Sequence, residues 1–119
     1  MINIFVVEDD NKLKELYCRI LIKFGYTILD TANDGEEAIE KYLDFKIKPD
    51  LILIDHRMPN KSGIETINEI KKIDNRVKFI LATADQTLKD LVHEINIDKM
   101  LFKPFSANLL IKEVKSLFS

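Results

Sequence analysis

Two uninterrupted apolar runs, Ile4-Phe5-Val6-Val7 and Leu51-Ile52-Leu53-Ile54, constrain this chain more than anything else in it. They are rich in β-branched residues, short, and bounded by acids or by Pro-Asp, which is the pattern of strands buried on both faces. A third run, Val77 to Ala82, is nearly as apolar, whereas Tyr26 to Ala32 is interrupted by Asp30 and Met100-Leu101-Phe102 is brief. The last two read as edge strands. Between the runs the period turns helical: Leu13, Leu16, Tyr17, Ile20, Leu21 and Phe24 share one face, and Gly25 ends that helix. A second helix is expected from about Gly35 to Phe45 with Asp34 as N-cap. A third opens on Ser62-Gly63-Ile64-Glu65, a capping-box pattern leading into Ile64, Ile67, Ile70 and Ile73. Thr87 and Asp90 stand in the same relation beside Leu88, Leu91, Val92 and Ile95, and a last helix after Ser106 carries Leu110, Val114, Leu117 and Phe118.

Strict alternation of strand and helix implies parallel strands joined by right-handed crossovers. The expected fold is therefore α/β, a doubly wound five-stranded parallel sheet with five helices on both faces. The 119 residues suffice for a single domain, spanning 1–119. With 46% apolar and 32% charged residues the chain is a folded protein, not a disordered one. No apolar run approaches the roughly 18 residues that span a bilayer, and Met1-Ile2-Asn3-Ile4 lacks the basic flank of a signal peptide. A cytoplasmic location with no membrane partner is expected. The lone Cys18 excludes an internal disulfide, and without clustered histidines a structural zinc site is excluded too. A net charge of −2, with Lys71-Lys72 as the longest basic run, argues against direct nucleic-acid binding. The three glycines build neither of the common phosphate-cradling loops.

In doubly wound sheets, ligands bind beyond the carboxyl ends of the strands, near the point where strand order reverses. Those ends carry Glu8-Asp9-Asp10, Asp55, Thr83-Ala84 and Lys103-Pro104. An order of 2-1-3-4-5 places Asp9 and Asp55 at the switch point, with Thr83 and Lys103 to one side. Glu8, Asp9 and Asp55 outnumber Lys103, so the site calls for a cation. Oxygen-only donors point to Mg²⁺. A divalent ion, a lysine and a hydroxyl are what a phosphoryl group needs around its oxygens, and the remaining carboxylate would be the nucleophile.

The set Glu8-Asp9, Asp55, Thr83-Ala84 and Lys103-Pro104-Phe105, with Asp55-x-x-Met58-Pro59-x-x-x-Gly63, resembles the response-regulator receiver domain along essentially the whole chain. The resemblance implies two-component or phosphorelay signalling, with Asp55 accepting a phosphoryl group from a histidine kinase or phosphotransfer protein. Asp9, Asp55 and the Arg57 backbone carbonyl would bind Mg²⁺, with Glu8 ligating directly or through water. Thr83 would move onto the phosphoryl group, Ala84 would leave it access, and Lys103 would pair with it. The change would reach a downstream protein through the fourth helix, fifth strand and fifth helix. Such a domain supports its own phosphorylation and autodephosphorylation without being an enzyme otherwise. The Lys103-Pro104 bond is usually cis in this family.

Two places depart from the family's pattern, and a charged pair stands at positions that in the family tune loss of the acyl phosphate. Met100 stands where an aromatic switch residue is usual, which puts the relay of the signal in question. Asn96-Ile97 replaces a Gly-Ala turn, which asparagine tolerates. Arg57 and Asp85, two residues beyond Asp55 and Thr83, carry opposite charges expected to pair across the site mouth, hinder the attacking water and lengthen the phosphorylated lifetime. His56 reads as a loop residue turned away from the site, His93 as a helix-surface residue and Cys18 as a small packing residue. Two rival functions remain: a receiver-like binding module that is never phosphorylated, and a Mg²⁺-dependent phosphohydrolase with an aspartyl-phosphate intermediate. The second would want an acid where Arg57 stands. The chain is expected to be a stand-alone regulator, a relay intermediate or a receiver excised from a longer protein.

Overall fold

Strands Asn3–Val7 (β1), Thr27–Ala32 (β2), Leu51–Asp55 (β3), Lys78–Thr83 (β4) and Lys99–Phe102 (β5) form one parallel sheet in the order β2-β1-β3-β4-β5. This computed structural model describes residues 1–94 and 96–118. Among them, helices Asn11–Lys23 (α1), Gly35–Asp44 (α2), Gly63–Ile73 (α3), Leu91–Glu94 (α4) and Ala107–Phe118 (α5) alternate with the strands. The expected fold class and strand order are both found.

The side-chain period of two explains why the strands are apolar throughout. Phe5, Val7, Ile52, Ile54, Phe79 and Leu81 point to the face covered by α2 and α3, where Ala38, Tyr42, Ile67 and Ile70 meet them. Ile4, Val6, Leu51, Leu53, Ile80 and Ala82 point to the other face, against Tyr17 and Leu21 of α1 and Leu110, Ile111 and Val114 of α5. Every residue of β3 is buried, so its only place for a polar group is its end, Asp55. The two edge strands are those with the weakest apolar runs. In β2 the register with β1 slips after Ile4, and the interrupting Asp30 turns to Lys41 at 3.4 Å.

Local chemistry sets the helix ends. Asp10 caps α1, Asp34 caps α2, and Ser62 with Glu65 closes the expected capping box on α3. Gly63 lies so close to the end of β3 that a Cβ there would sit 2.4 Å from the Asp55 carbonyl oxygen, which is why a glycine starts this helix. Asn96 adopts the left-handed conformation expected of it, with φ 56°, and the Lys103-Pro104 peptide is cis.

The fourth helical segment differs from expectation. Its cap is Asp85, whose carboxylate accepts from the Thr87 backbone N–H at 2.9 Å, rather than Thr87 itself. The result is a 3-10 stretch over Gln86–Asp90 followed by the short α4. An aspartate satisfying the backbone two residues on competes with a full helical turn. Ile95, assigned above to this segment's apolar face, lies outside the described residues.

Candidate functional site

Asp55 ends β3, Glu8 follows β1, and Lys103 follows β5, so the carboxyl ends of three strands deliver a charged residue to one place. The Lys103 ammonium lies 2.8 Å from Asp55 Oδ1 and 3.0 Å from Glu8 Oε1. Glu8 is 1% exposed and Asp55 7%, so both carboxylates are held nearly out of water, with a single ammonium between them. The Glu8 Oε2 atom accepts from the Asp10 backbone N–H at 3.1 Å, which ties the acidic turn to the start of α1. Asp9 is exposed, yet one oxygen from each of Glu8, Asp9 and Asp55 lies within 4.8 Å of the others. The four charged residues singled out above therefore converge as expected.

This cluster carries more negative charge than Lys103 offsets. Burial pushes Glu8 up to about 7, against the opposing hydrogen bond from Lys103. It raises Asp55 too, again against Lys103. Burial alone would lower the lysine, but the hydrogen bonds and charges of Asp55 and Glu8 hold it above its usual value. Three carboxylate oxygens on one side of a small, partly buried site, with no nitrogen or sulfur donor among them, fit a hard divalent cation such as Mg²⁺.

Thr83 ends β4, one residue past the Asp55–Ala82 register pair, and its backbone carbonyl accepts from the Lys103 N–H at 2.8 Å. Its buried hydroxyl accepts from the Asp85 backbone N–H at 3.0 Å. Ala84 beside it is exposed. Arg57 and Asp85 do pair, with Nη2 to Oδ2 at 3.2 Å, and the Thr87 hydrogen bonds followed by Arg57 hold the Asp85 carboxyl below its usual range. Met100 stands apart from the cluster: it leans into the core on the α2–α3 face.

His56 is half-buried and lines a shallow depression of about 500 Å³ with Asp9, Arg57 and Pro59, so it is less turned away than alternation implies. Its Nδ1 has no hydrogen-bond partner among the described residues, and burial, then Arg57, lowers its pKa. His93 is exposed on α4 and Cys18 sits against the α1–α5 core cluster, both as expected. Sequence reasoning missed an apolar groove of about 430 Å³ between α1 and the start of α5, bordered by Leu13, Leu16, Pro104 and Lys103. At its floor Phe105 stacks on Tyr17 with ring centroids 5.6 Å apart. The helical face carrying Leu13, Leu16 and Ile20 was the available signal, but which of its residues meet the chain after β5 depends on tertiary placement.

A profile described as Response regulator receiver domain matches residues 4–115. Response regulator RR06 of Streptococcus pneumoniae is 37% identical over 116 residues, which cover 97% of this chain and 52% of that protein. Chemotaxis protein CheY of Thermotoga maritima is 31% identical over 111 residues, covering 92% of this chain and 91% of the relative. The chain thus spans about half of the first relative and nearly all of the second. Among solved structures, response regulator protein TrrA from Thermotoga maritima in complex with Mg(2+)-BeF superposes with a TM-score of 0.89 at 36% identity, covering 99% of this chain and 100% of that one. The CheY of the CheX-CheY-BeF3-Mg+2 complex from Borrelia burgdorferi gives 0.92 at 27% identity, covering 99% and 90%.

The charge excess predicts a pH-dependent stability difference. A carboxyl whose folded pKa is raised loses stabilisation as pH climbs from the unfolded value, near 4.5, through the folded one, near 7. In metal-free buffer, Glu8→Gln is expected to be more stable than the parent at pH 8 by about 1–3 kcal/mol, with the gap closing toward pH 4.5. Urea unfolding across that range measures it, and a less stable variant at pH 8 contradicts it.

Proposed function

The chain belongs to the response regulator receiver domain family, and from that premise we propose that it is a phosphoacceptor switch in which Asp55 takes a phosphoryl group from a histidine kinase or phosphotransfer protein. The observation that carries this reading is the Lys103 ammonium held between the buried Asp55 and Glu8 carboxylates. An isolated buried acid is costly, and a fold with no use for these charges has no reason to bury them together.

In the proposed reaction an Asp55 carboxylate oxygen attacks phosphorus, the bond from phosphorus to the donor's histidine nitrogen breaks, and an acyl phosphate forms. Glu8, Asp9, Asp55 and the Arg57 carbonyl would hold Mg²⁺, which supplies positive charge against the phosphoryl oxygens. Lys103, already 2.8 Å from Asp55, stays as the protein's own cation beside the new group. Exposed Ala84 leaves room above it. A solved relative at 36% identity is a complex with Mg(2+)-BeF, which supports such an ion and a phosphoryl-like group as ligands of this fold.

The switch follows from the hydrogen bond that Thr83 makes now. If its hydroxyl turns to a phosphoryl oxygen, the Asp85 N–H loses its acceptor, and Asp85 is both the cap of the 3-10 stretch and the partner of Arg57. A rearrangement there would pass to α4 and to the face it shares with β5 and α5, where a downstream protein would bind. Met100 would fill vacated space without a hydroxyl to signal with. Arg57, standing where a hydrolase of the aspartyl-phosphate kind would want its acid, is engaged by Asp85 and has no proton to give. That favours a phosphoacceptor over a turnover enzyme. The sequence composition and the lack of any helix long and apolar enough to cross a membrane, among the described residues, accord with a cytoplasmic role.

Incubation with acetyl phosphate and Mg²⁺ is expected to give a single phosphoryl adduct by intact mass, absent from Asp55→Asn and from magnesium-free samples. No adduct on the parent protein overturns the reading. The Arg57–Asp85 pair is proposed to shield the acyl phosphate from water. Arg57→Gln with Asp85→Asn, which keeps an acceptor for Thr87, should speed adduct decay by up to about tenfold, equivalent to about 1.4 kcal/mol of barrier. Unchanged decay removes the shield.

A further inference from the structure

Lys48, Lys71, Lys72, Arg76 and Lys78 ring two adjoining concavities of about 430 and 600 Å³ where β3 and β4 begin. Two carboxylates stand among them, and both are used inside the fold. Asp50 accepts from the Asn3 backbone N–H at 2.7 Å, and Asp74 from the Arg76 guanidinium at 3.1 Å and the Tyr42 hydroxyl at 3.3 Å. Five cations against two carboxylates make a local positive excess on a chain whose net charge is −2.

Favourable interaction with a helix C-terminus accounts for Lys71 and Lys72, in the last turn of α3. It does not account for Lys48 before β3, Arg76 after α3 or Lys78 at the first position of β4. Two of the cations are also held in place by aromatic rings. The Lys48 ammonium lies 4.7 Å from the Tyr42 ring centre and donates to the Tyr42 carbonyl, while the Lys71 ammonium lies 5.8 Å from the Phe79 ring centre and donates to the Asn96 carbonyl. Pre-placed cations lose less side-chain freedom when a ligand arrives. Lys72 and Lys78 are in no ion pair among the described residues. Aliphatic surface lies among the charges: Ile73, 49% exposed, borders the larger concavity, and Ile47, 67% exposed, adjoins Lys48.

We propose that this end of the domain is a docking surface for an acidic polypeptide segment that carries aliphatic side chains. Its charge complements the patch, and its apolar residues match Ile73 and Ile47. A flat anionic bilayer would meet the rim of these concavities rather than their interior. A single-stranded nucleic acid would need aromatic faces to stack on, but Tyr42 is fully buried and Phe118, which borders the smaller concavity, is half-buried against the α1–α5 core cluster. The surface lies at the opposite end of the strands from Asp55. The five residues of β3 separate the two by roughly 17 Å at ~3.3 Å per residue. A segment bound here therefore leaves the phosphoacceptor site open to its own partner.

Fluorescence anisotropy with a short labelled peptide of glutamates interspersed with leucines tests the surface on the intact chain. Saturable binding that weakens with salt is expected, about tenfold weaker in Lys72→Gln/Lys78→Gln as two exposed charge pairs are lost, and restored in Lys72→Arg/Lys78→Arg. Lys12→Gln/Lys112→Gln, which changes exposed lysines elsewhere, should bind like the parent. Equal thermal midpoints across the variants exclude a folding effect. The proposal is overturned by absence of saturable binding, by equal loss in the Lys12/Lys112 control, or by tighter binding of a single-stranded RNA or of phosphatidylserine vesicles than of the peptide.

Discussion

One ammonium shared by two buried carboxylates is the constraint around which this domain is arranged. Lys103 lies at hydrogen-bond distance from Asp55 and Glu8, and Asp9 adds a third carboxylate at the same place. Burial penalises each ionised acid and the neighbouring acids penalise one another, so the site holds negative charge that its lysine only partly offsets. A divalent cation would relieve that excess, and with Lys103 it would also offset the further negative charge that a phosphoryl group brings when it joins Asp55 as a mixed anhydride. The same imbalance makes the site costly in isolation and suited to a switch.

The sheet explains why the charge accumulates where it does. With helices on both faces, β1, β3 and β4 carry apolar side chains through their interiors, so their polar groups collect at the strand ends. The two ends of the sheet diverge in sign. Acids collect where the strands finish, and lysines and Arg76 collect where β3 and β4 start. Thr83 and Asp85 tie the end of β4 to the 3-10 stretch before α4, through hydrogen bonds from the Asp85 and Thr87 backbone N–H groups.

Most of this architecture is legible in the sequence. Strands buried on both faces leave an unmistakable continuous apolar signal, and the edge strands showed themselves by interrupting it. The capping box at Ser62 and the asparagine turn at Asn96 were readable because each is decided by neighbours in sequence. The pairing of Arg57 with Asp85 followed from opposite charges at matching strand ends. What escaped was decided by competition or by distance. Thr87 has the sequence of a cap, but Asp85 reaches the same backbone N–H from two residues earlier and wins. The Tyr17–Phe105 stack joins α1 to the chain after β5, and the basic surface assembles Lys48, Lys78 and the end of α3 from separate connections. Along the chain those lysines look merely scattered.

The central claim, that excess carboxylate charge at the strand ends is waiting for a divalent cation, is tested most directly by thermal unfolding at pH 8 as MgCl₂ is raised. The account predicts a saturable rise in midpoint for the parent protein that is lost in Asp9→Asn, whose exposed carboxylate contributes a donor without being needed by the core. A flat response, or an equal rise in the Asp9→Asn variant, would contradict it.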